Sequence, residues 1–413
     1  MSQVPFIPRN IQTRLEAALE DTPVVLIHGP RQCGKTTLAR KVGNDLGYSY
    51  YSFDDAVVFN AANEDPRGFV AGLPDRTILD EVQRVPDLFA TIKHEVDRNR
   101  VPGRFILTGS ANILLVPRLA DSLAGRVEII RLHPLSQCEI RGRDSRFLDK
   151  VFDSNEWGVH ETRLGASIAD LVVSGGFPAA LARKNSKRRG SWYNDYVTAI
   201  AQKDIRDLAR IRDFDAIPRL LGMAALQSGQ LFNLSELASP FQLSRPTIRD
   251  YFTLLERVFL VNRLQPWHNN RLRRLIKTPK IHLGDTGIAC SLLGLDADSL
   301  LKDRKIFGQL LETFVFQELL RQASWNEVPH RFTHFRQKDG AEVDIVLERG
   351  AGQVVGVEVK LSATVVGKDF RGLRKLQEAT GSRFKAGVVL YDGEDGLSFG
   401  DRLLALPLGS LWA

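Results

Sequence analysis

Cysteine is scarce in this chain: three residues among 413, Cys33, Cys138 and Cys290, far apart in sequence. An odd and scattered set excludes a disulfide framework, offers no zinc-ligand spacing and suits a reducing cytoplasm. Long apolar runs are missing as well. None approaches the roughly 20 residues that cross a bilayer, so no membrane partner is expected. Met1-Ser2-Gln3-Val4-Pro5 has no basic flank leading into an apolar segment, so no secretory signal is expected and the location is read as cytoplasmic. Neither sign of charge dominates: 56 Lys and Arg face 49 Asp and Glu, a net +7. That balance admits a polyanionic partner without requiring one. Hydrophobic residues make up 43% and charged residues 25%, as in an ordinary globular protein. A chain of 413 residues exceeds a single core, so about two to four domains are expected.

Against these absences, one motif is complete. Gly29-Pro30-Arg31-Gln32-Cys33-Gly34-Lys35-Thr36 satisfies G-x-x-x-x-G-K-[ST] at every fixed position. Val24-Val25-Leu26-Ile27 before it reads as a buried strand, and the chain from Thr37 onward reads as a helix. In such a loop the backbone N–H groups from Gly29 to Thr37 surround phosphate oxygens. Lys35 reaches the outer phosphates, and the Thr36 hydroxyl ligates magnesium. The helix N-terminus adds its dipole.

Hydrolysis needs a second acidic group on a neighbouring strand. Arg76-Thr77-Ile78-Leu79-Asp80-Glu81 supplies two carboxylates, Asp80 for the magnesium shell and Glu81 to orient or deprotonate water. A third strand, Arg104 to Ser110, ends in hydroxyls. Ser110 is the candidate contact to the γ-phosphate or the water, with Thr108 next and helix capping as the alternative role. Arg126, then Arg118, are candidates for an arginine acting in a neighbouring subunit, with ordinary surface ion pairs as the alternative. Strands alternating with helical stretches predict a three-layer α/β core.

The middle of the chain turns helical. From Leu231 to Val261 it reads as a helix-turn-helix, with Ser244 as N-cap and Pro246 in the first turn of the second helix. Arg245 and Arg249 lie on that helix. Leu260–Leu264 and 279–283 are expected to pair as a wing. Arg271, Arg273, Arg274 and Lys277 lie between them, with no acid from His268 to His282. This predicts a winged helix whose basic residues contact DNA, or a module that packs protein on protein.

The last hundred residues carry a second pattern. Residues 341–361 read as a hairpin turning at Ala351, so paired residues should have numbers that sum to 702. Val343, Ile345 and Leu347 should share one face, and Glu342 and Asp344 the other. Asp344 then lies across from Glu358, and Glu342 from Lys360. Two carboxylates about 5 Å apart repel unless something bridges them. The expected bridge is a divalent ion, magnesium or manganese, held by Asp344 and Glu358, with Lys360 beside it. The alternative is a solvated polar face.

The segment Asp344…Glu358-Val359-Lys360 resembles the PD-(D/E)XK nuclease fold. The resemblance implies a further acid near the metal, Glu312, on the helix that begins near Gly308. It equally admits a nuclease-like domain that binds without cutting. Over the whole chain, Gly29-Pro30-Arg31-Gln32, Leu79-Asp80-Glu81-Val82-Gln83, Leu107-Thr108-Gly109-Ser110, Leu123-Ala124-Gly125-Arg126, Ser174-Gly175-Gly176-Phe177-Pro178, Lys277-Thr278-Pro279-Lys280 and Asp285-Thr286-Gly287 resemble a prokaryotic AAA-type "ATP-binding protein" family whose C-terminal region has no assigned function.

The resemblance implies an oligomeric ATPase, a hexameric ring, with ATP and magnesium as its nucleotide and metal. The expected fold is multidomain α/β: an AAA-type P-loop core at residues 1–140, a helical linker at 141–228, a winged helix at 229–300 and a nuclease-like α/β domain at 301–413. The expected function is ATP-coupled DNA processing, on duplex or branched DNA, with metal-dependent cleavage. The alternative is a nucleotide-regulated binding switch.

Overall fold

A computed structural model describes residues 6–110, 125–153, 160–205, 216–233, 243–268 and 278–413. Arg118, Arg271, Arg273, Arg274, Lys277 and the first helix expected for the helix-turn-helix lie outside the described residues. The chain divides into two compact units. One is Met1–Leu135 with Leu255–Phe259, and the other is Ser136–Leu254 with Leu260–Ala413.

The first unit is built on a five-stranded parallel sheet. Its strands are Val24–His28 (β1), Ser49–Ser52 (β2), Thr77–Asp80 (β3), Phe105–Gly109 (β4) and Val127–Arg131 (β5), in the order β2-β3-β4-β1-β5. β1 and β4 are buried along their whole length, which is why they read as continuous apolar runs rather than alternating ones. Val24, Leu26, Leu79, Phe105 and Leu107 pack on the helix Leu88–Arg98 through Leu88, Phe89, Ile92 and Val96. Ile78 points the opposite way from Leu79, and there the helix Lys35–Asp45 comes so close that a Cβ on Gly43 would sit 2.5 Å from Ile78 Cδ1. The sheet is therefore the middle of three layers. Each fully buried Phe of this core contributes about 1.5–3 kcal/mol through area removed from water.

Among the described residues, the second unit holds two sheets. A small one, in the order β6-β8-β7, joins Gln230–Leu231 (β6), Val261–Leu264 (β7) and Lys280–Leu283 (β8). β7 and β8 pair antiparallel, as expected for a wing. The larger sheet contains His330–Arg336 (β9), Glu342–Arg349 (β10), Gln353–Val359 (β11), Phe384–Tyr391 (β12), Leu397–Ser398 (β13) and Leu403–Pro407 (β14), in the order β13-β14-β12-β11-β10-β9. β9, β10 and β11 are antiparallel neighbours. β12 joins β11 in parallel after the crossover helix Arg371–Thr380, whose Leu373 and Leu376 pack on Val343, Val346, Val354 and Val389.

The β10–β11 ladder runs from Ile345↔Val357 to Arg349↔Gln353, so the observed register sums to 702 as expected. The simple two-face alternation does not hold. The register between β10 and β9 shifts between Val343 and Val346, and both valines enter the same core cluster. A bulge flips the pleat, and it does so beside Asp344.

Two sequence motifs acquire a structural reason in this unit. Asp285 is fully buried and accepts bonds from the backbone N–H of Gly176 at 2.8 Å and Gly287 at 2.9 Å. A Cβ on Gly175 would lie 2.0 Å from Asp285 Oδ1, and Gly175 has φ +62°, so glycine is required on both counts. Arg321, on the helix Arg304–Trp325, donates to Asp285 at 2.9 Å and to Glu318 at 2.8 Å. Glu318 in turn accepts from the Gln137 N–H at 2.8 Å. All three cysteines are buried and free. Among the described residues no helix is long and apolar enough to cross a membrane.

Candidate functional site

The strand order places β4 between the P-loop strand β1 and the acidic strand β3. The loop, the two acids and the hydroxyls at the end of β4 therefore meet along one sheet edge. The Gly29 N–H donates to the Gly109 carbonyl at 3.3 Å, tying the start of the loop to β4. Gly34 closes the loop with φ +103°, a conformation that L side chains rarely adopt. It precedes the helix Lys35–Asp45, which has no side-chain cap, so the first N–H groups of that helix are left for another acceptor. Lys35 is 5% exposed, and its Nζ donates to the carbonyls of Gly29 at 3.1 Å and Pro30 at 2.9 Å. The ammonium is thus held inside the concavity of the loop. Arg9, near the chain start, braces it from behind, donating to the Cys33 carbonyl at 2.8 Å and the His133 carbonyl at 2.7 Å.

Asp80 is 4% exposed and is surrounded by hydroxyls. The Thr36 Oγ1 donates to it across 2.9 and 3.1 Å, Tyr50 Oη donates at 2.8 Å, and Thr108 Oγ1 makes a short bond to it. Burial, and after it the Asp80 carboxylate, push the Tyr50 phenol up to about 12. A hydroxyl and a carboxylate side by side, all oxygen, form a donor set that fits a hard divalent ion such as magnesium. Glu81, next in sequence, leaves the strand in the left-handed region at φ 59°. Its N–H donates to Thr108 Oγ1 at 3.1 Å. Its carboxylate accepts from Ser110 Oγ at 3.0 Å and, in a short bond, from Gln83 Nε2, which also lies 3.0 Å from Ser110 Oγ. A non-glycine residue in this region is strained, and the strain is held by bonds to the end of β4. His28, at the end of β1, is pushed down to about 3 by burial and then by Arg131 and Lys35, so it is neutral.

The structure therefore gathers Lys35, Thr36, Asp80, Glu81 and Ser110. Arg126 stands apart from this group: it pairs within the same chain with Asp97, at 2.5 and 3.1 Å. Sequence reading did not single out Tyr50 or Gln83. Tyr50 lies on β2, and Gln83 lies two residues after Glu81 in the motif. Those positions were the only signals.

In the second unit, Glu312, Asp344, Glu358 and Lys360 also come together, but not around a metal-shaped gap. Among the described residues no group of three or more His, Cys, Asp or Glu side chains is arranged to hold a metal ion. Lys280, on β8, takes that place. Its Nζ lies 2.8 Å from Glu312 Oε1 and 3.1 Å from Asp344 Oδ1. Where an ion bridging Asp344 and Glu358 is expected from sequence, the structure has an ammonium that bridges Glu312 and Asp344. Asp344 Oδ2 accepts the Val359 N–H at 3.0 Å, and Lys360 pairs with Glu358 at 2.8 Å. Glu342 pairs with Arg336 at 3.3 Å, and the ladder between β10 and β11 stops at Ile345, short of Glu342 and Lys360. Burial, then the Asp344 charge, raises Glu358 to about 8 and Glu312 well above its ordinary range. His282 and His334 are lowered by burial and by Lys280, His334 to about 4. Arg245 and Arg249 are exposed, one turn apart, on the helix Arg245–Arg257.

Comparison with known proteins follows this division. A family model described as an AAA domain matches residues 21–141. Two domains of unknown function match the rest, DUF8612 at residues 165–299 and DUF4143 at 307–411. The uncharacterized protein Rv2008c of Mycobacterium tuberculosis is 31% identical over 402 residues, 97% of this chain and 83% of the relative. The uncharacterized protein Mb2031c of Mycobacterium bovis matches to the same extent, 31% over 402 residues. Among solved structures, the Walker-type ATPase PABY2304 of Pyrococcus abyssi aligns with a TM-score of 0.44 at 16% identity, over 70% of this chain and 96% of that one. The RuvB Holliday junction branch migration motor of Thermotoga maritima aligns at 0.28 and 19%, over 62% and 88%. The first unit carries an AAA-type P-loop ATPase domain, and the chain belongs to the family of the two mycobacterial proteins.

Proposed function

We propose that this chain hydrolyses ATP at the P-loop site and uses the cycle to control a nucleic-acid-directed second unit. One observation carries the first half. Thr36 lies 2.9 Å from Asp80, while Glu81, next on the same strand, is turned into the left-handed region and fixed to Ser110 at the end of the adjacent strand. Thr36 and Asp80 would hold magnesium, which when bound neutralises phosphate charge and polarises the γ-phosphoryl group. The N–H groups from Gly29 to Thr37 would hold the phosphate chain, with Lys35 supplying the nearest positive charge. Glu81 would orient the attacking water and accept its proton, with Ser110 and Gln83 aiming the carboxylate. Thr108 and Tyr50 keep Asp80 in place. In a homo-oligomer, a hexameric ring, the arginine acting across subunits would be Arg126, which would have to leave its pair with Asp97 of the same chain, or Arg118. Phosphate release by wild type, Lys35→Ala and Glu81→Gln tests the site. Turnover that survives Lys35→Ala sinks the assignment.

The net charge of +7 and the exposed pair Arg245 and Arg249 support nucleic acid as the second partner. Binding to duplex, single-stranded and branched DNA across a salt series tests this, because phosphate contacts lose affinity steeply with salt. Metal-dependent cleavage is a second reading. It rests on the helix-strand-strand-strand-helix-strand order and on Glu312, Asp344, Glu358 and Lys360 lying together, and it requires Lys280 to give up its bonds to Glu312 and Asp344. If wild type cuts nothing with magnesium or manganese, or Asp344→Ala and Lys360→Ala cut equally well, cleavage falls. Nucleotide-regulated binding by an inactive nuclease-like domain then remains.

A further inference from the structure

The three carboxylates of the second unit come from three elements: Glu312 from the long helix Arg304–Trp325, Asp344 from β10 and Glu358 from β11. The cation that joins two of them, Glu312 and Asp344, comes from a fourth, β8 of the small sheet. The Lys280 side chain is only 5% exposed, and both of its charge-assisted bonds are of ordinary length, 2.8 and 3.1 Å. An ammonium buried to this degree is tolerated because carboxylates pair with it; without them its desolvation would be uncompensated.

The fit of a divalent ion can be followed oxygen by oxygen. Asp344 Oδ1 is bonded to Lys280 and Oδ2 to the Val359 N–H. Glu312 Oε1 is bonded to Lys280, and Glu358 Oε1 to Lys360. Glu358 Oε2 is buried and has no hydrogen-bond partner among the described residues. An ion bridging Asp344 and Glu358 would find one oxygen without a hydrogen bond, would share the others with Lys280, Lys360 and the Val359 N–H, and would lie beside the Lys280 ammonium. Two cations at such separation repel strongly in a site screened from water. The donor set as placed does not fit a divalent metal.

We infer that Lys280 is the resident cation of this cluster, an internal ammonium standing where the nuclease resemblance implies a metal, and that it both keeps divalent ions out and ties β8 to the larger sheet. Glu358 is then the residual acceptor of the cluster rather than a metal ligand. This inference concerns the second unit alone and does not rest on the ATP assignment.

The test is direct binding of manganese, followed by its electron paramagnetic resonance signal, to the full-length nucleotide-free protein. An Asp80→Asn background removes the carboxylate assigned to the ATP-site ion, so failure of either assignment is seen separately. The Asp80→Asn protein is expected to bind no manganese at 1 mM, roughly the range of weak extracellular cation modules. Adding Lys280→Met is expected to raise affinity at least tenfold, and adding Asp344→Asn to that is expected to remove the gain. Manganese bound by the Asp80→Asn protein and lost on adding Asp344→Asn overturns the inference. So does a folded Lys280→Met protein that gains nothing. Should Lys280→Met not fold, the first comparison decides: no binding in Asp80→Asn upholds the inference, and binding lost with Asp344→Asn overturns it.

Discussion

Replacing Arg321 by methionine should unfold the second unit long before it touches nucleotide chemistry. The side chain of Arg321 is 3% exposed, and those of its two partners, Asp285 and Glu318, are 0% exposed. Methionine keeps most of the volume but removes two charge-assisted bonds, at 2.9 and 2.8 Å, and leaves two carboxylates without a cation. A hydrogen bond to a charged group contributes about 1.5–3 kcal/mol, so two give roughly 3–6 kcal/mol. Breaking a buried ion pair from one side independently costs about 3–5 kcal/mol. The two figures agree. For the second unit, about 270 residues in its two segments, they correspond to a fall of about 5–10 °C in its melting transition.

The loss should also depend on pH in a definite direction. Burial already raises Asp285 and Glu318 above their ordinary values, and loss of Arg321 raises them further. Carboxylates whose folded values lie above their unfolded ones give stability that is fully present below the unfolded values and is lost as pH rises through the folded ones. The defect of Arg321→Met should therefore be larger at pH 8 than at pH 5.5. Differential scanning calorimetry at both pH values measures it, with each transition followed separately because a chain of two units need not melt in one step. Adding Asp285→Asn and Glu318→Gln should return part of the loss, since the uncompensated charges are then gone. A single variant melting within about 3 °C of wild type at pH 8, or a defect equal at both pH values, would refute the reasoning.

Other outcomes follow from the nucleotide site. Glu81→Gln keeps the shape and the bond to Ser110 but cannot take a proton, so kcat for phosphate release should fall about 10²- to 10⁴-fold while ATP binding persists by equilibrium dialysis. Tyr50→Phe removes one bond to Asp80, at 2.8 Å, and should raise the magnesium concentration for half-maximal turnover several-fold, about 3- to 30-fold, with little change in melting. His28 is held neutral with its value lowered to about 3 by burial, Arg131 and Lys35, so its contribution is present above the unfolded value and is lost as pH falls toward 3. From pH 7 to pH 5 that is roughly 2 kcal/mol, and the difference in unfolding free energy between wild type and His28→Asn over this range should report it.

The P-loop, the acidic strand end and the hairpin register were legible because each is local. Gly29 to Thr36 lie within one turn of chain, Asp80 and Glu81 end one strand, and a hairpin turning at Ala351 leaves only arithmetic to set its partners. The β-bulge beside Asp344 was not legible. It depends on β9, and it moved Val343 onto the same packed face as Val346. Lys280 was hidden for a similar reason. It lies 64 residues before Asp344 and on a different sheet. From sequence it reads as one more cation after the basic stretch from Arg271 to Lys277, with nothing to separate it from residues that face solvent. The repulsion expected between Asp344 and Glu358 is met by two lysines rather than one bridging ion: Lys360 pairs with Glu358, and the cation on Asp344 is Lys280. What one strand pair could not say is whether that cation enters from solution or from elsewhere in the chain. A lysine brings its charge already tethered, so it gives up less translational freedom than an ion captured from water. A cluster filled in this way resists exchange, and that resistance distinguishes a site built to hold a strand in place from one built to bind and release a metal.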